Sequence, residues 1–89
     1  MIAYDCYAAA KKIAQQLSEV GHKEWGDRIV DAIAAGFTSG EILGSIRWEL
    51  KEFKKSGLAV SDSLVSEISD LISKIEKAFK EVGSEFKED

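Results

Sequence analysis

The sequence predicts an all-α fold, a four-helix bundle with short connections, and three observations carry that expectation. None of the 89 residues is proline, and Ala, Glu, Lys and Leu/Ile are plentiful, a composition that favours helix. Apolar residues recur every three or four positions in four segments, and nowhere alternate as a half-buried strand would. Glycine or Ser/Thr clusters separate those segments, as helix ends require.

The first helix is expected over about residues 2–20, where Ile2, Cys6, Ala9, Ile13, Leu17 and Val20 form one stripe. Gly21 follows in the place of a left-handed cap. A second helix over about 22–35 turns Trp25, Ile29, Ala32 and Ile33 inward and stops at Gly36. Thr38-Ser39-Gly40-Glu41 then reads as a capping box, with Phe37 and Ile42 in the two positions of a hydrophobic staple. The third helix, about 39–56, carries Ile42, Leu43, Ile46, Leu50 and Phe53 inward. It ends at Ser56-Gly57, with Leu58 placed to fold back on its last turn. The fourth, about 62–82, has the cleanest stripe: Leu64, Ile68, Leu71, Ile72, Ile75, Phe79 and Val82. Asp70–Lys74, Glu76–Lys80 and Lys77–Glu81 are spaced as outer charge pairs on it, and residues 83–89 read as a polar tail.

Length and composition bound the class of protein. With 89 residues there is room for one domain and one modest core. A content of 45% apolar and 31% charged residues, with net charge −4, is globular. One cysteine forms no internal disulfide and fits a reducing compartment. Asp5, Lys11 and Lys12 interrupt any signal-like apolar run. The expectation is a cytoplasmic protein with no membrane span. The acidic excess lies in residues 57–89, which hold eight acids against four bases.

Catalysis is not expected, because the reactive groups do not assemble. His22 and Cys6 fall on different helices, Cys6 on an apolar stripe where an inert thiol belongs and His22 at a helix junction. No metal-ligand spacing, phosphate loop or nucleophile elbow is present, and no cofactor is implied. Asp62-Ser63-Leu64 matches the tripeptide that small acidic carrier proteins modify with a phosphopantetheine arm on serine. In that family two further helices of the bundle follow the motif's helix, whereas here Ser63 opens the last helix. Ser61-Asp62-Ser63 is also an ordinary N-cap cluster, so a carrier modified on Ser63 is a distant alternative.

Segments two and three can also be read as a helix-turn-helix, with Arg47, Lys51, Lys54 and Lys55 clustered opposite the apolar stripe of the third helix. Against this, Ser39, Gly40 and Glu41 stand where base-reading side chains project, and the chain is net negative. Nucleic-acid binding is therefore the alternative, not the leading expectation.

Three outward features exceed what solubility requires. Trp48 falls almost opposite the stripe of its helix, either as an exposed contact residue or packed on a neighbour. Glu24, Asp27 and Asp31 form an acidic row on helix two, suited to steering a basic partner. Tyr4 and Tyr7 lie off the stripe of helix one, either as a contact patch or as cover for the bundle end. The stretch from His22-Lys23-Glu24-Trp25-Gly26-Asp27-Arg28 through Gly36-Phe37-Thr38-Ser39-Gly40-Glu41 into Ile46-Arg47-Trp48-Glu49-Leu50 resembles small all-helical bacterial proteins, the immunity partners of polymorphic toxins. The resemblance covers about a third of the chain. It implies a cytoplasmic protein that neutralises one cognate toxin by covering its active or substrate-binding surface, and it transfers no defined site. The leading expectation is thus an immunity or inhibitor protein with one protein partner, contacted through Glu24, Asp27, Asp31 and Trp48, with Tyr4 and Tyr7 behind them. Self-association through the same aromatics stays open.

Overall fold

The computed structural model describes residues 5–81, with Glu81 described by its backbone alone. It holds four helices, α1 (Cys6–Glu19), α2 (Lys23–Ala35), α3 (Ser39–Ser56) and α4 (Asp62–Glu81), and no strand among those residues. Each helix packs on the next in chain order, α4 closes back on α1, and α1 also touches α3 across the bundle. Helices α2 and α4 make no direct packing contact, so they occupy the far corners of the bundle. No helix among the described residues is long and apolar enough to cross a membrane.

Helix α1 begins later than its pattern predicts. Asp5 is extended and its carboxylate accepts the Ala8 amide at 3.0 Å, so the cap stands inside the expected helix and Cys6 is the first helical residue. Ile2, Tyr4 and the expected tail lie outside the described residues. At the other end the His22 amide donates to Leu17 O and the Gly21 amide to Ser18 O, at 2.8 and 3.3 Å. With Gly21 at φ 94°, this is a Schellman ending. Val20, expected on the stripe, is the cap residue and is exposed.

The capping box of α3 forms as expected: Glu41 N donates to Thr38 Oγ1, and the Phe37 and Thr38 amides donate to Glu41 Oε1. The staple does not form. Phe37 is 94% exposed, because Gly36 takes its place over Ile42; a Cβ at Gly36 would overlap the Ile42 side chain. Gly57 ends α3 in the left-handed region at φ 72°. Leu58 stays exposed, and Val60 packs on the core in its stead. Ser61 then caps α4, accepting the Leu64 amide at 3.2 Å.

One apolar cluster unites the four helices. Ile13 and Leu17 of α1, Ile29 of α2, Ile46 and Leu50 of α3, and Ile68, Leu71 and Ile75 of α4 are essentially inaccessible. Each such side chain contributes about 1.5–3 kcal/mol on burial. Ala10 and Ala14 complete the α1 face one position away from the expected Ala9, which is only half-buried. Small residues serve there because α2 comes close: a Cβ on Gly26 would stand 2.5 Å from Ala14 O and 2.6 Å from Ser18 Oγ. Gly26 is buried for that reason, a requirement that apolar periodicity does not register.

Candidate functional site

The α2–α3 interface is built on Phe53. Its ring meets Trp25 edge-on, centroids 5.5 Å apart, and His22 at 5.8 Å. His22 Nε2 lies 3.1 Å from the Ala59 carbonyl, where a protonated Nε2 donates and ties the α3–α4 connector to the start of α2. His22 is therefore a junction residue, although it makes no side-chain cap to its own helix. Arg28 continues the ladder outward. Its guanidinium carbon stands 4.2 Å from the Trp25 ring centre and its Nε is 2.8 Å from Glu49 Oε1. That approach is off the hydrogen-bond axis, so the buried Oε1 is neutralised by charge without an aligned donor.

An open groove runs along this ladder between α2 and α3. Its α2 wall is Arg28, Asp31, Ala32 and Ala35, and Gly36 closes one end. Its α3 wall rises from Gly40 and Gly44 to Ser45, Trp48 and Glu49, with Glu41 on the rim. Trp48 is 57% exposed. Of the two placements its position on the helix allows, the structure has the exposed one.

The acidic row is exposed throughout, but its members have different surroundings. Asp31 enters the groove opposite Trp48's wall. Asp27 is held by Lys23, Nζ to Oδ2 at 2.8 Å, and that bond, reinforced by the charge of Asp27, raises the lysine above its ordinary value. Glu24 lies in the first turn of α2 and does not line the groove. Tyr7 packs against the core and is half-buried, so it covers the bundle rather than presenting a free patch. Tyr4 lies outside the described residues. Trp48 and Asp31 are thus the expected contact residues that the fold brings together.

The basic cluster of α3 is not a free outer row. Arg47 is turned toward α4, its side chain 12% exposed and its Nε 2.7 Å from Glu76 Oε2. Glu76, expected to pair with Lys80 on the outside, bridges the two helices instead. Lys54 reaches Ser69 Oγ on α4 at 3.1 Å, and Lys55 reaches Glu52 at 3.3 Å. Lys51 is half-buried and is also engaged. Arg47 and Lys54 thus reach across to acceptors on α4, and Lys55 pairs within α3. Ser63 is exposed in the first turn of α4, two residues after the Ser61 cap.

Cys6 is half-buried, and burial, with Asp5 adding to it, raises its thiol above the ordinary value; Lys74 opposes them. Among the described residues no three of His, Cys, Asp and Glu converge as a metal site would need. The residues that sequence reasoning missed are Arg28, Glu49 and the groove glycines. A cation three residues after a tryptophan was the available signal for Arg28, but its partner on α3 depends on how the helices cross. In comparisons with known proteins, no family model, curated protein or solved structure matches the chain.

Proposed function

We propose that this chain is a non-catalytic protein-binding module, an immunity protein that neutralises a bacterial toxin domain by covering its active or substrate-binding surface. The observation that carries the binding reading is Trp48, a large aromatic 57% exposed beside the α2–α3 groove. Tryptophan combines a rigid apolar body with one N–H donor and is enriched among the residues that dominate interfaces. The acidic Asp31 wall beside it suits a basic target such as the substrate channel of a nuclease, where carboxylates would compete with phosphate. The toxin part of the proposal rests on the resemblance of the His22–Leu50 stretch.

The test begins with affinity purification of the tagged chain from the bacterium that encodes it, at native expression. A stoichiometric secreted protein, or its C-terminal fragment, is the expected companion. Equimolar addition of the chain should then abolish that protein's toxic activity in a purified assay. A companion whose activity is untouched at saturating concentrations would sink the inhibitor reading.

A further inference from the structure

We infer that the α2–α3 groove receives a cationic helix of a partner protein, laid against Gly40 and Gly44 with a Lys or Arg side chain between Asp31 and Trp48. This deepens the binding-module reading and rests on it, though not on its toxin part. Glycine within a helix costs about 1 kcal/mol relative to alanine, so Gly44, inside α3, calls for a reason, and Gly40 in the first turn leaves the same wall bare. The fold supplies none: a Cβ at Gly44 would meet nothing within 4 Å, and one at Gly40 only Thr38 Oγ1 at 3.9 Å. Gly26 and Gly36, by contrast, would strike neighbouring atoms. The space beside Gly40 and Gly44 is open because nothing in the described chain fills it.

Three further features select the occupant. Gly40 and Gly44, one four-residue step apart on α3, leave a low in its surface against which a ridge of a second helix can pack. From Gly40 to Glu49 the α3 side of the groove extends roughly 13 Å at 1.5 Å per residue, the length of a nine-residue helix. The charge is one-sided: Arg28, the cation of the groove, is spent on Glu49 and Trp25. The Asp31 carboxylate has no ion pair among the described residues, and Glu41 presents Oε2 beyond its capping oxygen. A guanidinium or ammonium placed between Asp31 and Trp48 gains a carboxylate and the face of an indole, and Glu41 adds a second acid further along the groove. A second copy of this chain would instead bring the same acids face to face, which disfavours a symmetric pair.

The test is a displayed library of helix-forming 14-residue peptides selected on the full chain. Enriched peptides should carry Lys or Arg. Gly44→Leu, whose Cβ enters open space and whose side chain obstructs the floor, should weaken them about tenfold or more, as should Trp48→Ala. Asp31→Asn with Glu41→Gln should slow association several-fold and flatten its salt dependence; glutamine preserves the cap. Thermal melts of each variant check that the fold is intact. Enrichment of acidic or neutral peptides, equal binding to Gly44→Leu, or a wild-type dimer in sedimentation that Gly44→Leu dissolves would each overturn the inference. A toxin neutralised equally well by Gly44→Leu would overturn it while leaving the immunity reading standing; a groove that binds basic helices in a chain that blocks no toxin would do the reverse.

Discussion

Single side chains divide here into those that hold the chain and those held out from it. Thr38 belongs to the first group, its hydroxyl accepting the Glu41 amide at 3.1 Å. Thr38→Ala should cost about 1 kcal/mol in urea denaturation. Phe37 belongs to the second: at 94% exposure, Phe37→Ser should change stability by less than about 0.5 kcal/mol, where a working staple would lose more. Cys6 gives a pH test. Its raised thiol stays protonated at neutral pH, so labelling by a disulfide reagent at pH 8 should run slower than for a free cysteine. The sign for stability follows: the unfolded thiol ionises first, near its ordinary pH of about 9, so the contribution is full below that pH and is lost as pH rises toward the folded value. Exposed residues such as Trp48 were legible as candidates because an amphipathic wheel leaves them opposite the stripe. Whether a neighbour covered Trp48 was not legible, since that depends on the crossing of α2 and α3.

At the scale of elements, two glycines give opposite expectations. Gly26→Ala presses a methyl group onto the Ala14 carbonyl, backbone that cannot move aside, and should cost about 1–3 kcal/mol. Gly44→Ala enters open space and should stabilise by about 1 kcal/mol through helix propensity alone. Urea midpoints moving the same way for both would refute this account of the α1–α2 and α2–α3 contacts. Helix limits were readable from local grammar: the capping box at Thr38, the Schellman glycine at position 21 and the left-handed Gly57 all act within one turn. The start of α1 was misread because the apolar pattern reaches back to Ile2, whereas Asp5 caps the helix where it stands. Seams between helices were the unreadable part. Glu76 pairs with Arg47 on α3 rather than Lys80 on its own helix, and Arg28 crosses from α2 to Glu49 on α3. Each choice depends on a distance between elements, which spacing within one element does not encode.

For the whole molecule, the central aliphatics link all four helices into one cluster, with Leu50 fully buried in it. Leu50→Ala should cost about 2–5 kcal/mol and broaden or abolish cooperative unfolding of so small a chain. The packing order has a kinetic consequence. Because each helix docks on its sequence neighbour and the α4–α1 contact alone joins the two ends of the described chain, most native contacts span short loops and little closure entropy stands in the way. Refolding is expected within about a millisecond of dilution, in one exponential. With no proline in the chain, no phase of tens of seconds should follow. A protein built this way regains its shape faster than a ribosome adds one residue, so in a newly made chain the α2–α3 groove stands complete almost as soon as α4, which closes the shared core, is released.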